Sequence, residues 1–171
     1  MSAVHVSAPT MPVELSEVSR QGIDAWLSKY PEDQKQSAII PALRILQDEN
    51  GGWLTNALVE AAADYLEMPR VAAYEVATFY SMFELHECGR HKISICTNIS
   101  CMLMGAETVV EHVEKKLGIK LGETTPDGRI SLHVEEECLA ACNCGPMMMV
   151  DGNYHEFLTP DKLDEILDGL D

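Results

Sequence analysis

Basic side chains are scarce: 12 Lys and Arg stand against 28 Asp and Glu, giving a formal net charge of −16. That imbalance argues against nucleic acid or an anionic lipid surface as the main partner and favours a protein partner with a basic face. The sequence also lacks any apolar run near the roughly 20 residues needed to span a bilayer, so no direct membrane insertion is expected. Its N-terminus has neither the charged nor the apolar region of a secretory signal. There is no internal repeat and no low-complexity tract. The six histidines are scattered without ligand spacing.

What is present is the composition of a soluble globular protein, 46% hydrophobic and 23% charged over 171 residues. A chain of that length buries a core without disulfide staples. Six cysteines therefore exceed what packing asks for, and in a reducing cytosol they point to metal ligation rather than disulfides. Five of the six fall between Cys96 and Cys144, which suggests a shared role.

Two periodicities divide the chain. Residues 1–13 show no period and read as a loose arm. A polar helical segment follows Ser16 and closes at Tyr30-Pro31, because the residue before proline is pushed out of the helical region. Ile39, Leu43 and Leu46 lie at i, i+4 and i+7 on a second helix, where Pro41 either kinks the helix or marks its start. Gly51-Gly52 ends that segment. Thr55 caps a third helix carrying Leu58, Ala62, Tyr65 and Leu66, and Pro69 opens a fourth carrying Val71, Glu75, Thr78 and Phe79. After Gly89 the period shortens. His91 to Cys96 alternates as a half-buried strand, a helix from about Gly105 to Leu117 follows, and Arg129 to Glu135 alternates again through Ile130, Leu132 and Val134. Met147 to Val150 turns at Asp151-Gly152 into Tyr154 to Phe157, and Thr159-Pro160 starts a last helix with Leu163, Ile166, Leu167 and Leu170. The expected class is α+β: a helical bundle over residues 14–88, then a β-α-β-β-α domain over 89–171 with a mixed sheet.

Cys96 and Cys101 enclose four residues where the first strand ends. Cys138 and Cys142 enclose three, just after the next strand. Two pairs delivered from adjacent strand ends can converge on one small site. Four thiolates suit an iron-sulfur cluster or tetrahedral zinc. Structural zinc ribbons favour a two-residue gap on each side, so gaps of four and three favour the wider 2Fe-2S cluster, with zinc and redox thiols as alternatives. Cys88, alone between a helix and a strand, reads as a small buried hydrophobe. Cys144 could compete with Cys142, but Gly145-Pro146 already turns the chain away. Met147 to Met149 read as core or interface filler. Glu135 to Glu137 read as a solvated charge run whose place beside Cys138 makes an electrostatic role worth testing.

The spacing Cys96-x4-Cys101 and Cys138-x3-Cys142, followed by Gly145-Pro146-x-Met148-Met149, resembles the thioredoxin-like 2Fe-2S subunit of NADH:quinone oxidoreductase, the E subunit of bacteria. Gly52-Trp53, Val76-Ala77-Thr78-Phe79-Tyr80-Ser81, Glu114-Lys115-Lys116-Leu117, Thr124-Thr125-x-Asp127-Gly128-Arg129 and Leu158-Thr159-Pro160 extend the likeness over about residues 14–170. The resemblance implies a helical domain followed by a thioredoxin-like ferredoxin domain. It also implies one 2Fe-2S cluster on Cys96, Cys101, Cys138 and Cys142, and docking to a flavin-carrying subunit that binds FMN and oxidises NADH. The host would be the peripheral arm of the complex on the cytoplasmic side of the inner membrane, with no complete active site on this chain. Equivalent subunits of NAD-dependent hydrogenases or formate dehydrogenases resemble the same module, and Thr78-Phe79-Tyr80 would be a structural or docking element. A thioredoxin-like fold does not by itself imply thiol-disulfide chemistry, and the two-residue redox spacing is missing from the expected place.

Overall fold

Ser16 opens the first helix as its sequence context suggests, its side-chain oxygen accepting the Ser19 N–H at 3.0 Å, and α1 runs Glu17–Leu27. The computed structural model describes residues 13–133 and 138–171. The arm therefore lies outside the described residues except for Val13, as do Val134 of the second expected strand and Glu135 to Glu137. Contacts divide the chain after Glu87 into two units.

In the first unit α1 buries only Ser19 and Ile23, which explains its polar sequence. The Ser19 hydroxyl donates to the Glu49 carboxylate, so the buried polar group is satisfied. A 3-10 segment, Glu32–Ala38, leads into α2, Ile39–Glu49. Pro41 is the third residue of α2, where its missing N–H would have no intrahelical partner, so it marks a start and not a kink. Ile39, Leu43 and Leu46 are buried as their spacing requires. Gln47 is buried beside them, donating to Met82 O at 3.1 Å and accepting Glu84 N–H at 2.8 Å.

Thr55 caps α3, Asn56–Tyr65, by accepting the Leu58 N–H at 3.2 Å. Helix α4, Arg70–Phe79, corrects the expected stripe. Val71 is 66% and Phe79 79% exposed, while Ala73 and Ala77 are buried. The inner face of α4 is alanine because α3 presents Ala62 and Ala63, and small side chains let paired helices approach closely.

The second unit is a four-stranded mixed sheet in the order β2-β1-β3-β4. Strand β1, His91–Ile95, pairs parallel with β2, Ile130–Leu132, and antiparallel with β3, Met148–Val150, which pairs with β4, Asn153–His155. Two helices fill the β1–β2 crossover: the short α5, Ile99–Leu103, absent from the expected order, and α6, Ala106–Leu117. The hairpin supplies two strands, one more than β-α-β-β-α counts. Asp151 and Gly152 both have positive φ, as a two-residue turn of the primed type requires. Strand β4 stops short of Phe157, whose φ of 49° takes it out of extended geometry. Thr159 caps α7, Pro160–Asp168. Ile93, Val113, Ile130, Met148, Leu163 and Leu167 lie in one core between sheet and helices.

Candidate metal centre

Strand β1 carries the chain directly into the site. Cys96 follows its last residue, and the Cys96 N–H donates to Met147 O at 3.2 Å, one step beyond the β1–β3 ladder. Asn98 then caps α5 by accepting the Ile99 N–H at 3.0 Å, and the helix turns Cys101 inward. Cys96 is 2% and Cys101 1% exposed. They pack with Ala106, Ala141 and Met147 in a small cluster separate from the sheet core.

The other pair is exposed. Cys138 and Cys142 stand with Sγ atoms 3.3 Å apart at the ends of a loop whose centre, Ala140, has a φ of 61°. That left-handed turn costs energy for a residue with a Cβ. It lets the Ala140 N–H donate to the Cys138 sulfur, which lowers that thiol's pKa, with the contact to Cys142 adding to the effect.

The two pairs meet. Cys96 bears on both neighbouring thiols, raising that of Cys101 and lowering that of Cys138, and Cys142 adds to the rise at Cys101. Burial first, and then Cys96, pushes the Cys101 thiol up to about 11, against the Met147 N–H that donates to its sulfur. Cys142 is raised chiefly by Cys138, while the Ser100 hydroxyl opposes this by donating to it. Among the described residues, no three or more His, Cys, Asp or Glu side chains form a group that could hold a single metal ion.

Cys144 points elsewhere. Its thiol is raised by burial and by hydrogen bonding to Glu156, and its backbone is tied to Ala141 and Phe157. Cys88 is half-buried and lies outside the thiol cluster. His91 and His112 are engaged by Asp151 at 2.7 Å and Asp164 at 2.9 Å. Met147 and Met148 are buried, the first against the thiols and the second in the sheet core. The sequence reading missed the donors of Ser100, Ala140 and Met147, and it missed Gly145. A Cβ at Gly145 would stand 2.8 Å from Met104 Sδ and 3.2 Å from Cys101 Sγ, so the backbone closes on the site where only glycine fits without displacement. The nearest sequence signal for the last of these was Gly145-Pro146 itself.

The thioredoxin-like 2Fe-2S ferredoxin family matches residues 23–171. The E subunit of the NADH-quinone oxidoreductase of Rickettsia felis is 46% identical over 142 residues, covering 83% of this chain and 84% of the relative. An E subunit of the same kind of oxidoreductase from Rhizobium meliloti, the one numbered 2, is 44% identical over 151 residues, covering 88% of each. Among solved structures, an NAD+-reducing NiFe hydrogenase in the H2-reduced state is similar in fold, with a TM-score of 0.63 at 16% identity over 76% of this chain. The match spans 21% of that hydrogenase chain, about a fifth of its length.

Proposed function

The chain belongs to the thioredoxin-like 2Fe-2S ferredoxin family, and on that footing we propose that it is the electron-transferring E subunit of an NADH-quinone oxidoreductase, holding one 2Fe-2S cluster on Cys96, Cys101, Cys138 and Cys142. The observation that carries the reading is the meeting of the two pairs: the Cys138 and Cys142 Sγ atoms stand 3.3 Å apart, and Cys96 and Cys101 are buried in one small cluster with Ala141, the residue before Cys142. The donor set fits the group. Four cysteine thiolates complete the coordination of a 2Fe-2S cluster, and Gly145 leaves open the space beside Cys101 that a Cβ would fill.

When bound, the cluster supplies a site that takes and returns one electron. The chain's own residues hold its environment. The Ala140 and Met147 N–H groups and the Ser100 hydroxyl donate to three of the sulfurs, favouring the thiolate form that ligation requires. Burial of Cys96 and Cys101 keeps water from that side of the site.

In this reading residues 14–88 are a helical domain and 89–171 the cluster domain. The chain has no complete active site. It exchanges electrons with a flavin-carrying subunit that holds FMN and oxidises NADH, in a peripheral arm on the cytoplasmic side of the inner membrane. No helix among the described residues is long and apolar enough to cross a membrane. An equivalent place in an NAD-linked hydrogenase is the second reading, prompted by the fold likeness. Identity of 46% to the quinone oxidoreductase relative, against 16% to the hydrogenase, favours the first.

Purification of the tagged chain from its own host tests the assignment. The expected result is a stable pair with the flavin subunit, NADH oxidation by the pair, and none by the chain alone. Recovery with a hydrogenase module instead, or NADH oxidation by the isolated chain, would overturn it.

A further inference from the structure

Tyr154 lies outside the proposed ligand set, yet it bonds to the loop that joins two of its members. It stands on β4 opposite Met149 of β3, and Met149 pairs in turn with Ser94 of β1, two residues before Cys96. The sheet register therefore fixes where its backbone sits. The side chain is 51% exposed, and its hydroxyl donates to Leu139 O at 2.6 Å, a short O–H···O hydrogen bond. Leu139 directly follows Cys138, and its side chain packs against the small cluster that contains Cys96, Cys101 and Met147.

The carbonyl held by Tyr154 belongs to the same peptide unit as the Ala140 N–H. A trans peptide is planar, with its C=O and N–H on opposite sides of the chain, so fixing the oxygen also fixes the direction of the hydrogen. That hydrogen is the one donated to the Cys138 sulfur. The unit therefore runs as a short relay from the Tyr154 hydroxyl through one rigid peptide to a proposed ligand. Ala140 adopts its left-handed φ of 61° at a cost for a residue with a Cβ, and the hydrogen bond from Tyr154 opposes rotation of the peptide out of this arrangement.

We propose that Tyr154 is a positioning residue for the cluster: its hydroxyl holds the Leu139–Ala140 peptide with the N–H aimed at Cys138, and through that N–H it raises the reduction potential. The proposal rests on the function argued above and adds to it a residue that sets the potential through another group. Reduction adds one electron, whose charge is shared with the ligand sulfurs, and an N–H pointed at a sulfur stabilises the reduced state more than the oxidised one.

The test is an EPR-monitored redox titration of the full chain, purified anaerobically with its cluster, for wild type and Tyr154→Phe. Phenylalanine keeps the ring and removes only the hydroxyl. Tyr154→Phe should retain about two irons per chain and titrate at a lower midpoint potential than wild type. Pulsed ENDOR of the reduced protein exchanged into D2O gives a second readout, in which the deuteron coupling from the N–H at Cys138 should weaken in the variant. Asn153→Ala, at the neighbouring exposed residue of β4, should match wild type in both measurements. An unchanged midpoint in Tyr154→Phe, unchanged deuteron couplings, or an equal shift in Asn153→Ala would overturn the role. Loss of the iron from Tyr154→Phe would overturn it too, because the hydroxyl would then hold the whole loop rather than orient one N–H. A wild-type chain with no iron and no reduced-state EPR signal would overturn the underlying function instead.

Discussion

Cys96 and Cys101 are delivered by a strand end and a helix and are almost wholly buried, whereas Cys138 and Cys142 come from a loop and are exposed. The buried pair is placed by the same forces that build the fold: the sheet register fixes Cys96 through Met147, and an Asn98-capped helix fixes Cys101. The exposed pair is placed by a local device, the left-handed turn at Ala140 that directs an N–H at Cys138. One half of the proposed site is thus built into the fold, and the other is open to solvent.

The largest expected effect comes from breaking the buried half. Cys101→Ala should bring bound iron from about two per chain to near zero, because a neighbouring thiol has no route into that buried position. Iron and sulfide analysis after anaerobic purification checks this. Breaking the exposed half should have a graded outcome. Cys142→Ala should lose the cluster or hold a perturbed one, with Cys144 the nearest candidate for rescue. Cys144→Ala and Cys88→Ala should keep the wild-type absorbance and reduced-state EPR signal. A colourless Cys144→Ala beside a normal Cys142→Ala would reverse the assignment of the two.

A smaller perturbation sharpens the comparison without removing a ligand. In Gly145→Ala the new Cβ meets the movable end of Met104 and the fixed sulfur of Cys101. Overpacking of this kind costs about 1–3 kcal/mol. The cluster should be retained with shifted EPR g values, and thermal unfolding should occur at lower temperature than in wild type. An unshifted spectrum would mean that the backbone approach at Gly145 does not press on the site.

The smallest effect lies away from both pairs. The Asp164 carboxyl is held below its usual 3.8, first by His112 and then by Lys116. A depressed folded-state pKa adds stability that is present above the unfolded value and is lost as pH falls through the folded one. Asp164→Asn should therefore lower the denaturant midpoint slightly at pH 6 and converge with wild type as the pH falls through the lowered carboxyl pKa. The pairs are only partly buried, so solvent screening keeps the effect small.

The contrast between the two pairs also separates what was legible in the sequence from what was not. The α2 stripe of Ile39, Leu43 and Leu46, the caps at Ser16, Thr55 and Thr159, and the Asp151-Gly152 turn depend on local chemistry, which spacing reveals, and the spacing of the four cysteines marked them as a group. The α4 stripe was misread because Val71 and Phe79 are larger than Ala73 and Ala77, and hydrophobicity alone does not report that close helix packing favours the small residues. Helix α5 escaped notice because five residues are too few to display a period. The N–H donors of Ala140 and Met147 depend on backbone direction, which side-chain identity does not encode. Glu135 to Glu137, whose electrostatic role the sequence suggested, lie outside the described residues.

In the proposed function the buried and exposed pairs hold one cluster together. Metal and acid-labile sulfide analysis of the anaerobically purified wild-type chain tests it most directly. The expected result is about two irons and two sulfides per chain, with visible absorbance that bleaches on dithionite. One zinc per chain with no sulfide would contradict it.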